Sequence, residues 1–462
     1  MAGYFTIMLG VGWRARKGSA DAYWVAERRY STVPVAASLV ATIFGASSTL
    51  GIIGLGYARG LTGAWWPLVG GLALVPFAFL LAGRVRHLEV YTLPDVLRRS
   101  YDERVAFAGA SFIVLAWCGV VAAQIVAGAY LLGGVLDLPF QGAVAVVAAV
   151  FVLYTLWGGQ LSVVRTDTAQ ILLFLAAVGA SLVLVARAVA AGGGGLDALP
   201  EGFLSFPVSP DFSWYQVLVY YPVIVGLPYL VGPDIYSRIL CARDGDTARR
   251  AALWAAVLVV LLAGLGLLIH ALSPGLTPEA ALPSALTALG PVGLKGLIVV
   301  GFLGAIMSSA DTTLISASTI FTLNVVDPLA HLGTERAHRL TRVLVVVLGG
   351  LAWAIAAFQH GIIASLLLAY TVFVGGVVLP TLAGFWKDRL GVTNGAALAA
   401  VLVGGGAALL GSVADGAILE GMVGATGVAL LESGLGPEYG SLLPVVLSGA
   451  TLVVGSRVAR RG

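Results

Sequence analysis

Residues 304–318 read GAIMSSADTTLISAS and lie in a segment otherwise apolar enough to cross a membrane. Ser308, Ser309, Asp311, Thr312, Thr313, Ser316 and Ser318 fall within about three helical turns. Polar and ionisable groups at membrane depth are costly, and they face an interior cavity or an ion path rather than lipid. Ser308, Asp311 and Thr312 stand at i, i+3 and i+4, on one helix face. Hydroxyls with one carboxylate make an all-oxygen surface, matched to a small hard cation and not to zinc or copper. The plainer alternative is that these hydroxyls bond back to their own helix or join helices together. Asp311 among them favours the cation.

The rest of the chain is of one kind with this stretch. Of 462 residues, 59% are hydrophobic and 11% charged, and the mean hydropathy is +0.97. A soluble domain is about a quarter charged. Repeated apolar runs of about 20 residues make an all-α polytopic membrane protein. A formal charge of +3 is small and by itself says nothing about nucleic acid; none is expected as a partner. The expected partners are the lipid bilayer, a small-molecule solute and a cation. Cys118 in an apolar run and Cys241 in a basic loop are expected as free thiols. His87, His270, His331, His338 and His360 are scattered without ligand spacing, so neither an enzyme nor a cofactor is expected.

About 13 spans are expected. The first, 2–13, is short, about 18 Å as a helix against a hydrocarbon core of about 30 Å. It is read as a truncated span or as the result of a start placed too late, and not as a signal peptide. Of the 26 Lys and Arg residues, all but Arg59, Arg187 and Lys295 fall at alternate loops. The opposite loops, 192–213 and 413–440, carry Asp197, Glu201, Asp211, Asp415, Glu420, Glu432 and Glu438 and no Lys or Arg. Basic loops face the cytoplasm, which puts the N-terminus outside and the C-terminus inside the cell membrane.

Two spans carry helix breakers. Residues 38–57, SLVATIFGASSTLGIIGLGY, hold four glycines beside Ser47, Ser48 and Thr49, and residues 220–233, YYPVIVGLPYLVGP, hold Pro222, Gly226, Pro228, Gly232 and Pro233. Proline removes an amide and glycine loosens a helix; irregular backbone is tolerated at that depth where protein or a cavity satisfies it. These are spans two and seven, five apart, the pattern of a 5+5 inverted repeat with its site between the broken helices. The expected units are 1–30 (short helix and cytoplasmic loop), 31–190 (core helices 1–5), 191–213 (external loop), 214–388 (core helices 6–10) and 389–462 (two flanking helices with an external loop).

Five stretches, in order, make the chain resemble the sodium:solute symporter family, which includes sodium-coupled proline, sugar, sialic acid and pantothenate carriers. They are TLPDVLRRSYDER (92–104), YTLWGGQLSVVRTDTAQ (154–170), SRILCARDGDTARR (237–250), MSSADTTL (307–314) and GFWKDRLGVTNGAALAAVLVGG (384–405). The resemblance implies a leucine-transporter-like fold and sodium as the coupling ion. It places a main sodium site on the carbonyls of Ala41, Phe44 and Ala305 and the hydroxyls of Ser308 and Ser309. It places a second cation site, present in some members, on Asp167, Ser308, Asp311 and Thr312, with Asp311 standing where better-known second-site members carry a hydroxyl. Asp167 is otherwise read as a partner of Arg165 or as a helix cap.

For the solute, the resemblance points to Ser47, Ser48, Gln124 and Tyr229, the last as a gating aromatic. Trp65 and Trp66 are read as interfacial rather than cavity-lining. Pro67, Gly70, Gly232 and Leu366 stand near positions where sugar carriers have polar side chains, and Val225 stands where proline carriers have a tryptophan, so both solutes are disfavoured. A small carboxylate or amino-acid-like solute fits, because a broken helix offers free amides to an anion. The function implied is sodium-coupled import of a small organic solute. The alternatives are a proton-coupled carrier using Asp311, or a transporter-like membrane sensor. The topology has a direct test. Single cysteines at Gly193 and Gly245 should label from opposite faces of the membrane, and labelling from one face would overturn the assignment.

Overall fold

A bilayer offers no water to a free amide, so a chain of this composition closes its backbone hydrogen bonds within helices. The computed structural model describes residues 19–193, 195, 199–258, 263–359, 361–413 and 438–459, together with 3, 4, 6–8, 10, 431, 433 and 435. Residues 11–18, with the start of the loop after the first span, lie outside the described residues. So does most of the acidic loop 413–440, with Asp415, Glu420 and Glu432, and so does Asp197. The described residues are helical nearly throughout, with two isolated β-bridges and no strand.

The first broken span runs as α1 (Thr32–Ile43), a gap, and α2 (Ile52–Arg59), which a wide π-type turn at Ser47–Gly51 leads into. Phe44 leaves helical geometry at φ −77°, ψ 42°. A loop at 60–64 leads to α3 (Trp65–Phe77), then α4 (Glu103–Leu136) and α5 (Phe140–Ala188). The second broken span is α6 (Leu227–Val231) followed by α7 (Pro233–Leu240). Next come α8 (Gly245–Leu258), α9 (Ala263–Leu272), α10 (Val292–Ile320), α11 (Gly333–Phe358), α12 (Ile362–Phe373), α13 (Asn394–Val413) and α14 (Tyr439–Ala459). Only Gly232, extended at φ −60°, ψ 132°, interrupts the second span. Pro233 sits in a first turn, where a missing amide costs nothing, and Pro222 and Pro228 lie within helical backbone widened to π-type turns at Gln216–Tyr220 and Pro222–Gly226, so the break is narrower than its five breakers imply.

Nine helices among the described residues are long and apolar enough to cross a membrane. That is fewer than the 13 spans expected, because some continuous helices hold two crossings and α1, at 12 residues, is short alone. A straight α5 of 49 residues would measure about 74 Å. It folds back at Gly159, whose φ of 59° and ψ of −172° leave the helix. Tyr154 Oη lies 2.8 Å from Thr166 Oγ1 as a result; twelve residues along a straight helix would separate them by about 18 Å.

The buried axis of the bundle is α10, packed along α5, α4 and α11. The basic loops gather at one end: Tyr30 N donates to Cys241 O at 3.2 Å, and Arg86 Nε to Ala242 O at 2.5 Å. At the other end Leu61 N donates to Phe203 O at 2.8 Å and Trp65 Nε1 to Pro207 O at 2.7 Å. The C-terminal pair, α13 and α14, docks on the extension of α12: a Cβ on Gly404 would stand 2.0 Å from Gly375 O, so only glycine permits the approach.

Gly159 tests the fold-back. Its backbone region is open to glycine alone, at a cost of about 1–3 kcal/mol for other residues. A Cβ there would also lie 2.4 Å from the Tyr23 ring, which adds overpacking of about 1–3 kcal/mol. Gly159→Ala should therefore lower the melting temperature of the purified protein. Gly179→Ala, with no atom within 4 Å of its Cβ position, should leave it unchanged or raise it. Equal melting of the two variants would contradict the fold-back.

Candidate functional site

At its C-terminal end a helix leaves carbonyls without intrahelical donors, and that end carries partial negative charge. In α1 the ladder closes with Phe44 N donating to Val40 O at 2.9 Å. The carbonyls from Ala41 onward thus stand at an open, electronegative end inside the protein. On α10, Ala305, Ser308 and Ser309 fall at i, i+3 and i+4 and meet this end: Ser309 Oγ donates to Thr42 O. A Cβ on Gly45 would lie 2.3 Å from Ser309 Oγ, so glycine is what lets the break close on α10. All of Ala41, Phe44, Ala305, Ser308 and Ser309 are buried. Each serine hydroxyl spends its one proton on a protein acceptor and keeps its lone pairs.

Ser308 Oγ donates to Asp167 Oδ1 at 2.5 Å, and Ser38 Oγ donates to Asp167 Oδ2. Asp167 is fully buried, and its counter-charge is Arg238 on α7, whose Nη2 lies 3.6 Å from Oδ2. Arg238 also donates from Nε to Thr42 Oγ1 at 2.9 Å and from Nη1 to Gln160 Oε1. This corrects two readings. Asp167 pairs with Arg238, while Arg165 is exposed, and Arg238 is no loop charge, being 0% exposed. A buried carboxylate needs a partner, and the wanted cation comes from a segment that hydropathy assigns to the loop.

The residues expected at a second cation site divide between two networks. Thr312 Oγ1 donates to Ser308 O at 2.8 Å and lies 3.5 Å from Thr42 Oγ1, beside the Asp167 network. Asp311 accepts from Thr155 Oγ1 at 2.6 Å on Oδ1, and its buried Oδ2 has no partner among the described residues. The plainer reading holds for Thr312 and Thr313, which bond back to the carbonyls of Ser308 and Ser309.

Beside the break lies a cavity of about 30 Å³, lined by Thr42, Ile43, Ser47, Trp117, Val120, Gln124, Pro228, Tyr229, Asp234, Ile235, Ser309, Thr313 and Tyr370. Larger clefts open elsewhere, one of about 520 Å³ at Tyr130, Phe140 and Pro283, but neither break reaches that one. Of the residues expected on the solute side, Ser47, Gln124 and Tyr229 line the central cavity, and Ser48 stands next to Tyr229 instead. Gln124 Oε1 accepts from Ala46 N at 2.6 Å, so it satisfies the amide that the break releases. The expectation of free amides for an anionic solute fails there. Tyr229 abuts α3, where a Cβ on Gly70 would lie 2.6 Å from its ring. Trp66 is corrected: it is 1% exposed, stacked on Tyr370 and edge-on to Tyr221, and so is interior rather than interfacial.

Sequence reasoning missed Trp117, Asp234, Arg238 and Tyr370. Trp117, Val120 and Gln124 at i, i+3 and i+7 share one helix face, a signal that could have found the first. Asp234 follows the Gly232 break directly.

The sodium:solute symporter family model matches residues 23–404. The chain belongs to the sodium:solute symporter family. Similar curated members include sodium/myo-inositol cotransporter 2 of Oryctolagus cuniculus, 28% identical in an alignment of 414 positions that covers 78% of this chain and 61% of that protein. Sodium/glucose cotransporter 4 of Homo sapiens is 26% identical, over 75% of this chain and 58% of that protein. The chain thus spans about three-fifths of the length of the curated relatives it matches. Among solved structures, a substrate-bound, outward-open Na+-coupled sialic acid symporter matches with a TM-score of 0.76 at 16% identity, covering 99% of this chain and 96% of that one. A nucleobase-cation-symport-1 family transporter in a closed conformation matches at 0.59 and 14% identity, covering 95% and 94%. The family protein is an integral membrane protein with the leucine-transporter-like fold, and its relatives are transporters, not enzymes.

Breaking a buried ion pair from one side costs about 3–5 kcal/mol. Arg238→Met should therefore unfold at markedly lower temperature than the parent, and adding Asp167→Asn should restore part of the loss. A single variant that melts like the parent would show that the pair does not hold these helices.

Proposed function

We propose that this protein is a sodium-coupled symporter that imports a small organic solute by alternating access. The observation that carries the reading is that Thr42 and Ser309 belong both to the oxygen cluster and to the wall of the central cavity. An ion held there draws the open end of α1 toward α10 and shapes the solute cavity in the same act. In this reading Ala41, Phe44, Ala305, Ser308 and Ser309 ligate sodium. Asp167 accepts the Ser308 hydrogen bond and so aims that hydroxyl's lone pairs at the ion, as outer partners orient ligands elsewhere. Residues 31–190 and 214–388 serve as the two repeats, with the basic loop ends cytoplasmic and the C-terminus inside. The myo-inositol and glucose of the relatives' names are candidate solutes only through that likeness.

A second reading rests on Asp311, whose Oδ2 is buried without a partner among the described residues. A carboxyl in that state is suited to carry a proton, either with sodium or in its place. A second cation at Asp167, Ser308, Asp311 and Thr312 would require the Asp167 and Asp311 networks to close on one ion.

Sodium titrations of thermal stability decide between them. A dehydrated hard cation needs nearly all its ligands, and loss of one buried polar partner costs about 1–3 kcal/mol, or about tenfold in affinity for each 1.4 kcal/mol. Ser308→Ala should raise the half-saturating sodium concentration by about ten- to a hundredfold and Ser309→Ala by less, with folding intact. If Ser308→Ala titrates like the parent while Asp311→Asn abolishes proton-driven uptake, the proton reading replaces the sodium one.

A further inference from the structure

We infer that the solute is an organic cation, held by the Asp234 carboxylate and the aromatic rings around it; this rests on reading the central cavity as the solute site.

Asp234 is the second residue of α7, immediately beyond the break at Gly232, and it lines the cavity. Its carboxylate stands in the first turn of α7, where the helix end carries partial positive charge. It has no ion-pair partner among the described residues, and no Lys, Arg or His lines the cavity. The nearest guanidinium, Arg238 one turn on, is committed to Asp167, Gln160 and Thr42. The cavity therefore carries a negative charge that the protein leaves unmatched. Asp234 is half-buried; a solute that closes the cavity over it takes it out of water, a cost that a cationic solute meets by pairing.

Trp117, Tyr229 and Tyr370 bring three aromatic rings to the same cavity from α4, α6 and α12. They are braced from behind: Trp117 edge-on to Phe373 at 4.7 Å, Tyr370 stacked on Trp66 at 6.4 Å, and Trp66 edge-on to Tyr221 at 5.9 Å. Aromatic faces attract ammonium groups through the ring quadrupole, and more strongly once both are desolvated. An anion would meet Asp234 as a like charge and would find the amide of Ala46 already taken by Gln124. A neutral polyol could use Ser47, Gln124 and Asp234 as hydrogen-bond partners but would leave the charge unmatched. At about 30 Å³ the cavity holds little more than a water, so it must enlarge to admit an ammonium solute.

The test uses purified full-length protein in nanodiscs, with thermal stability as the readout. The probes are choline, its uncharged carbon isostere 3,3-dimethylbutan-1-ol, acetate and myo-inositol, each with and without sodium. Choline should stabilise the protein in sodium, and the isostere should need at least tenfold more. Asp234→Asn should abolish that discrimination while keeping the stabilisation by sodium alone. Asp234→Glu should retain part of it. If acetate or myo-inositol stabilises and choline does not, if choline and the isostere act alike on the unaltered protein, or if Asp234→Asn binds choline as the parent does, the cation assignment is wrong although symport stands. A protein that no sodium concentration stabilises, with or without solute, overturns the symport reading beneath it. The choline–isostere comparison on the unaltered protein decides the matter even if Asp234→Asn does not fold.

Discussion

Asp167 is the point on which the interior depends. One carboxylate, closed to water, receives Ser38 from α1, Ser308 from α10 and the guanidinium of Arg238 from α7. A buried charge in a bilayer is tolerable only when its partners are in place, so these helices must meet there in a fixed register. That register sets the open end of α1 against Ser309 and the start of α7 against the cavity. The oxygen cluster and the solute cavity are therefore two sides of one junction.

The two breaks are held in different ways. At the first, Gln124 replaces the missing helical partner of Ala46, and Gly45 allows α10 to approach. At the second, a single extended residue, Gly232, turns the chain, and Pro233 opens the next helix without needing a donor. Neither break leaves every backbone group to water. A neighbouring side chain or a change of geometry satisfies some of them, which is how irregular backbone survives at membrane depth.

Much of this was legible in the residues. Gly45 beside Ser47, Ser48 and Thr49 announced the first break, and hydroxyls with Asp311 on one apolar helix announced a polar interior. The second break was announced too broadly, since Pro222 and Pro228 are accommodated within helical turns. Arg238 and Tyr370 were not legible, and Trp117 only through its shared helix face with Gln124. A basic residue near a span end counts as a loop charge by hydropathy, and a lone aromatic in an apolar helix looks like packing. Only the distant chain that each one meets separates these cases. Trp66 was misjudged for that reason: its stacking partner Tyr370 lies far along the sequence. Asp234 stood in view, one residue past a recognised breaker, but a single carboxylate gains its meaning from the rings and the empty charge balance around it.

The glycine seam between the α12 extension and the C-terminal pair has a mechanical consequence. Gly375 and Gly404 bring two backbones into contact with no side chain between them, and Pro444 of α14 closes on the same spot. A contact of that kind has no soft layer to absorb sliding. Any tilt of α12, which carries Tyr370 into the cavity wall, must then drag α13 and α14 with it through the lipid. The C-terminal pair is thus an outrigger, through which the thickness of the surrounding bilayer would bear on the tilt of α12.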